Sequence, residues 1–233
     1  MFDRTRDFFA RLFTPLARFL LARGIGPDVV TLVGTIGVCA GALVFFPTGH
    51  LLIGVLVITA FVFSDTIDGV MARLQGRSSS WGAFLDSTLD RFGDAAIFAG
   101  LVAYYIGPGD SRLWAFVALG CLIMGSLTSY ARAKAESLGM TAKGGIAERA
   151  DRLVAVLVAA GFAGMGIPYL SAYILEVVLV LLAVASTITV VQRILLVRRQ
   201  AIAAGAPLTA PADAATEAAA TEPTNTDGPD PRR

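Results

Sequence analysis

The chain has little charge. Asp, Glu, Lys and Arg make up 16% of its 233 residues, while hydrophobic residues make up 55%. A soluble domain carries about 25% charged residues. Mean hydropathy is +0.69. So little polar surface excludes a soluble globular fold and implies an all-α integral membrane protein. The one histidine, His50, sits beside Gly49 in a short loop, which argues against histidine-based triads and histidine-ligated metals. The two cysteines, Cys39 and Cys121, lie in apolar runs without zinc-type spacing and read as small hydrophobes. A net charge of +1 excludes a strongly basic nucleic-acid binder. Any chemistry must fall to carboxylates and basic groups.

What is present is organised along the chain. Phe8, Phe9, Leu12, Phe13, Leu16, Phe19 and Leu20 recur at helical spacing, interleaved with Arg4, Arg6, Arg11 and Arg18. This predicts an amphipathic helix on the membrane surface within residues 1–27, ended by Gly24, Gly26 and Pro27. No small-residue cleavage site follows a short apolar core, so no cleaved signal peptide is expected. A bilayer core of ~30 Å needs ~20 apolar residues per helix. Six stretches are read as spans: Val29–Phe46, Leu51–Leu74, Trp81–Ile106, Leu113–Ala131, the shorter Leu153–Gly166, which continues an apolar run begun after Asp151, and Ser171–Val197, with Glu176 in its first turn. Together they define a six-helix transmembrane domain over residues 28–199. Residues 200–233, rich in Ala, Pro, Thr, Asp and Glu, read as a disordered tail.

Lys and Arg set the orientation. Arg4, Arg6, Arg11, Arg18, Arg23, Arg73, Arg77, Arg132, Lys134, Lys143, Arg149, Arg152, Arg198 and Arg199 fall on one side, and Arg112 alone falls in the opposite loops. Both termini are therefore expected in the cytoplasm of a multi-pass cell-membrane protein.

Charged side chains at membrane depth are costly and mark function by default. Here Asp65 and Asp68 end the second span, and Asp86 and Asp90 open the third. Spacings of three and four put each pair on one helix face. Four facing acids would repel unless cations cancelled them, and two divalent ions would do so. Oxygen-only donors suit Mg²⁺, Mn²⁺ or Ca²⁺ rather than zinc, and paired metals can hold a phosphate through its displacement. Gly69 and Gly82 remove bulk where a substrate or backbone must approach, and Arg73 can pair with phosphate.

The run Asp65-x2-Asp68-Gly69-x2-Ala72-Arg73-x8-Gly82-x3-Asp86-x3-Asp90 resembles the signature of the CDP-alcohol phosphotransferase family at every fixed position, gap included. The six spans and the N-terminal helix are also similar to that family, over roughly residues 1–200. The resemblance implies a homodimer that transfers a phosphatidyl or related group from a CDP-linked donor such as CDP-diacylglycerol to an alcohol, releasing CMP. It implies two Mg²⁺ or Mn²⁺ ions held by Asp65, Asp68, Asp86 and Asp90, with Asp90 taking the acceptor's proton. It implies a donor site of Asp28, Thr31, Asp68, Gly69, Ala72, Arg73 and Gly82, where Asp28 stands in place of the Asn of many members.

The acceptor is read from the remaining cations. Arg132, Lys134, Arg149, Arg152 and Arg193 cluster at the cytoplasmic ends of the last three spans, which points to a phosphorylated alcohol. The segments 129–136, 144–153 and 185–193 resemble those of actinobacterial phosphatidylinositol-phosphate synthases, with Ala150 where close relatives have Pro. That implies inositol 1-phosphate as acceptor, bound by these five basic residues. Two alternatives remain at this level: phosphatidylglycerol-phosphate synthesis on glycerol 3-phosphate, and a proton-coupled transporter. Acids at span ends rather than at the midplane argue against the transporter.

Overall fold

The computed structural model describes residues 2–75, 80–167 and 170–205; the side chains of residues 2–11, Asp65, Leu170 and Ala172 lie outside that description. The expected basic residues Arg4, Arg6, Arg11 and Arg77, and the tail from 206 onward, therefore fall outside what can be placed. Among the described residues every element is helical.

The order is α1 (Phe2–Ala22), α2 (Pro27–Ala40, continued by a π-helical turn Gly41–Phe45), α3 (Leu51–Val62), α4 (Ser64–Leu74), α5 (Ser80–Ile106), α6 (Arg112–Ser137), α7 (Arg149–Gly164) and α8 (Leu170–Ala203). Four stretches are long and apolar enough to cross a membrane: Pro27–Phe45, Leu51–Leu74, Arg112–Ser137 and Tyr173–Ala203. Helix α5 has 27 residues, a length of ~40 Å at 1.5 Å per residue, but carries Asp86, Asp90, Arg91 and Asp94 in its first half. Helix α7 has 16 residues and opens on Arg149, Asp151 and Arg152. Charge on α5, and length and charge on α7, set these two helices apart from those four stretches.

Each of those four overlaps a predicted span, and the boundaries move for local reasons. Pro27 takes the first helical position of α2, where its missing N–H is not needed. The second stretch is not one helix: the chain turns at Phe63, and Ser64 donates to the Phe61 carbonyl at 2.6 Å. Helix α8 begins at Leu170, so Glu176 lies beyond the first turn rather than in it. Its Oε2 is buried without a hydrogen-bond partner among the described residues.

Packing divides the molecule in two. The main core joins α2, α3 and α5 to α8 around Phe46, Ile58, Ile97, Leu101, Val156, Leu175 and Leu179. A second cluster holds α1 to α4 through Ala17, Val70 and Met71, with Leu20, Leu21, Val30 and Ile67 around them. Helix α2 packs on both α4 and α5 and joins the two motif helices. Its small residues make this possible. A Cβ at Gly34 would collide with Ser64, one at Gly37 with the Phe61 ring, and one at Gly41 would come within 3.0 Å of Ile58. The Gly37–Gly41 spacing, a pattern that permits close helix packing, is used inside the chain.

Candidate active site

The end of α4 and the start of α5 carry the acids. Asp68 is buried, and its Oδ2 accepts a hydrogen bond from the Thr31 hydroxyl of α2 at 2.5 Å. The Pro27 carbonyl of its own helix lies 3.1 Å from the same oxygen and is the longer, competing acceptor for its one proton. Asp65 stands one turn earlier on α4. Above the same helix a Cβ on Gly69 would meet nothing within 4 Å, so an approaching group finds open space there. Arg73 is exposed and its Nε donates to the Gly69 carbonyl at 3.0 Å. Ala72 beside it is partly buried.

Helix α5 continues the site. Gly82 lies in its first turn, and Trp81 donates from Nε1 to Asp28 Oδ2 on α2 at 3.1 Å. Asp28 and Thr31, one turn apart on α2, thus touch α5 and α4 respectively. Asp86 is exposed, Asp90 half-buried. The stripe does not stop there: Asp94 follows at the next i+4 position. Arg149, the first residue of α7, is shared between Asp90 and Asp94. Its Nη1 is 2.9 Å from Asp90 Oδ2, and its Nε donates to both oxygens of Asp94 at 3.0 and 3.2 Å.

Two cavities meet at that arginine. One, of about 150 Å³, lies between α2, the α3–α4 break, α5 and α7, and is lined by Thr31, Gly34, Ser64, Asp90, Asp94, Arg149 and apolar residues such as Val38, Ile97 and Leu157. The other, of about 440 Å³, is lined by Ser87, Arg91, Thr128, Ser129, Arg132, Ala133, Glu136, Glu148, Arg149, Ala150, Arg152 and Arg193. Five guanidinium groups against the two carboxylates of Glu136 and Glu148 leave this lining net positive, which suits an anion. Lys134 is exposed and is not among the residues lining it. Arg91 is the addition that sequence reasoning missed; its signal was its place between Asp90 and Asp94 on a helix already known to be functional.

The arginines are held differently. Arg132 is exposed and pairs with Glu136 at 3.0 Å. Arg152 and Arg193 are 3% and 4% exposed. Arg152 donates to the carbonyls of Ala147 at 3.1 Å and Gly125 at 3.4 Å. Arg193 donates to Thr128 at 2.5 Å and twice to Gly144, at 3.3 and 3.2 Å. These two side chains tie the α6–α7 loop to α6 and α8 as well as charging the cavity wall. Gly145, at φ +137°, is needed there: a Cβ would collide with Thr189, whose hydroxyl accepts from the Ala147 amide at 3.2 Å.

The donor set for a cation is oxygen only: Asp68 from α4, Asp86 and Asp90 from α5, with Asp65 one turn before Asp68. Among the described residues no three such side chains converge on one point. Their chemistry nevertheless fits a hard divalent ion, and the space over Gly69 leaves room for a ligand beside it.

Sequence comparison decides the family. The profile of the CDP-alcohol phosphatidyltransferases matches residues 25–188. The chain belongs to this family. Among similar proteins is the phosphatidylinositol phosphate synthase of Streptomyces avermitilis, 51% identical over 217 residues that cover 91% of this chain and 85% of that one. The synthase of Cutibacterium acnes is 50% identical over 203 residues, 85% of this chain and 98% of that one. Among solved structures, the Mycobacterium tuberculosis phosphatidylinositol phosphate synthase with CDP-DAG bound is 43% identical with a TM-score of 0.75, covering 80% of this chain and 94% of that one. The same enzyme in complex with manganese and citrate gives 43% identity and a TM-score of 0.74, over 79% and 88% of the two chains. The region matched to the CDP-alcohol phosphatidyltransferases holds every acid of the signature and every arginine of the larger cavity except Arg193. Membership of an enzyme family also removes the transporter alternative.

Proposed function

We propose that the chain transfers the phosphatidyl group of CDP-diacylglycerol to inositol 1-phosphate, releasing CMP and forming phosphatidylinositol phosphate. The observation that carries this reading is the arginine-lined cavity set directly beside Asp90, with Arg149 common to both. An acceptor that brings its own phosphate needs such a cavity; a neutral alcohol does not. The synthases from two actinobacteria, each at least 50% identical, support the same acceptor. The apolar lining of the smaller cavity suits a lipid donor entering from the bilayer.

In this reading Asp65, Asp68, Asp86 and Asp90 hold two Mg²⁺ or Mn²⁺ ions, which supply charge neutralisation for the donor pyrophosphate when bound. The manganese complex of the tuberculosis enzyme supports a divalent ion. Thr31 fixes the Asp68 carboxylate, and Asp28 is set by Trp81. Gly69, Ala72, Arg73 and Gly82 line the nucleotide and pyrophosphate. Arg132, Arg149, Arg152 and Arg193, which line the larger cavity, receive the acceptor's phosphate and turn a hydroxyl of the ring toward Asp90, while Lys134 stands outside that lining. Asp90 takes the hydroxyl proton as the oxygen attacks the phosphorus on the diacylglycerol side. The new P–O bond forms, the bond to CMP breaks, and CMP leaves with the electron pair.

The wider arrangement belongs to the same proposal. Residues 1–27 form a surface helix and linker and 28–199 a six-span catalytic domain; 200–233 lie outside the chemistry, although α8 itself runs on to Ala203. Both termini and the site face the cytoplasm, and the unit is a homodimer in the cell membrane. Product identification tests the function: purified protein with CDP-diacylglycerol, Mg²⁺ or Mn²⁺ and a panel of phospho-alcohols. Phosphatidylinositol phosphate with inositol 1-phosphate is expected. A product with glycerol 3-phosphate alone would overturn the acceptor.

A further inference from the structure

The signature accounts for Asp86 and Asp90 but not for Asp94, which continues their stripe four residues on. Asp94 is the more enclosed of the two acids that meet Arg149: its side chain is 15% exposed, against 23% for Asp90 and 33% for Arg149. A carboxylate at this depth is costly unless paired. It is paired with Arg149, and the form of the pairing is informative. Asp94 takes the Nε–H edge with both oxygens. Nη1 goes to Asp90 Oδ2, and Nη2 approaches the Asp90 carbonyl at 3.5 Å. A guanidinium has five N–H groups in a rigid fork. These contacts use the Nε–H, one on Nη1 and one on Nη2, so the outer N–H groups remain for a ligand. The same residue lines the arginine cavity.

We propose that Asp94 is a positioning residue of the transfer reaction. It clamps Arg149 at the boundary between the two cavities, so that one guanidinium faces the Asp90 carboxylate and the acceptor's phosphate together. Resting on the acceptor class proposed above, this makes Arg149 the link between acceptor binding and the base. Arg149 is not simply one of five cations: it alone of them also lines the smaller cavity. Its side chain starts at the first residue of α7, and Asp94 fixes its Nε edge there. Without the clamp, Asp90 alone would hold the guanidinium and draw it out of register with the phosphate.

The test is a kinetic split in Asp94→Asn, with CMP release followed against each substrate. Loss of a charge-assisted clamp worth ~1.4 kcal/mol corresponds to about tenfold. The KM for inositol 1-phosphate is expected to rise about tenfold, and the KM for CDP-diacylglycerol to stay within about twofold. Asp94→Glu keeps the charge and is expected to fall between wild type and Asn; it carries the test by the same split if the Asn variant does not fold. A pair that only stabilises the bundle would lower the melting temperature and leave both KM values unchanged, or shift both equally. Either outcome overturns the proposal. If the wild type uses glycerol 3-phosphate instead, the acceptor assignment fails on its own, and the split is read with that substrate.

Discussion

Thr31 on α2 donates its hydroxyl to Asp68 on α4, with 2.5 Å between the oxygens, across 37 positions of sequence. The contact fixes an acid of the signature from a helix that contains none of the signature. The Pro27 carbonyl one turn earlier, 3.1 Å from the same oxygen, competes for the single hydroxyl proton, and the shorter contact goes to the carboxylate.

Thr31→Val keeps the shape and removes the donor. A hydrogen bond to a charged group contributes ~1.5–3 kcal/mol, so the metal concentration for half-maximal CMP release should rise about ten- to hundredfold. Thr31→Ser should stay near wild type. A titration with Mn²⁺ and with Mg²⁺ measures both, and EDTA should stop release in all three proteins. Unchanged half-saturation in the Val variant would separate Thr31 from the metal site.

Asp90→Asn keeps the size of the side chain and removes its basicity. General-base contributions are ~10²–10⁴-fold, and turnover should fall by that order. Binding of CDP-diacylglycerol at saturating metal should fall far less than turnover, because Asp65, Asp68 and Asp86 keep their carboxylates. Single-turnover CMP release and an equilibrium binding isotherm check the two halves. Near-wild-type turnover would remove Asp90 as the base.

Arg193→Gln tests a residue with two duties. It should raise the KM for the phosphorylated acceptor about tenfold and the donor KM by no more than about twofold. Because Thr128 and Gly144 lose their buried partner, stability should also fall, by ~1–3 kcal/mol for an orphaned carbonyl. Steady-state kinetics and a thermal melt in the same detergent read the two effects. Equal changes in both KM values would leave Arg193 with only its structural duty.

Trp81→Phe keeps a ring and loses the N–H that holds Asp28. The expected effect is confined to the donor: KM for CDP-diacylglycerol up about threefold, within the ~0.5–1.5 kcal/mol of an ordinary hydrogen bond. The acceptor KM should not move. A matching change in the acceptor KM would place Trp81 outside the donor side.

The helices and the acids were legible for different reasons. A span must be long and apolar, so Leu113–Ala131 could be located within α6 directly, although the helix runs on to Ser137. The acids were legible because ligand chemistry restricts residue type and one helix face restricts spacing. What the sequence did not disclose is pairing between helices. Nothing local joins Asp94 to Arg149, which is 55 positions away. Nothing local shows that Arg152 and Arg193 spend donors on carbonyls, or that Lys134 stands off the cavity while Arg132 lines it. The break at Phe63 was hidden because an apolar run reads the same whether one helix or two carry it. The spacing of Gly37 and Gly41 permits close packing but does not say which neighbour fills the gap; Phe61 and Ile58 do.

That break has a consequence for how the protein can vary. Beyond Phe63 the chain leaves the main core, and α4 rests on Ala17, Leu20 and Leu21 of α1. The platform beneath Asp68 is thus built from a segment that contributes no residue to the signature. Substitutions at positions 17, 20 and 21 would retune the acid without altering any residue of the motif. Two homologues with identical signatures could therefore differ in metal affinity because their first helices differ.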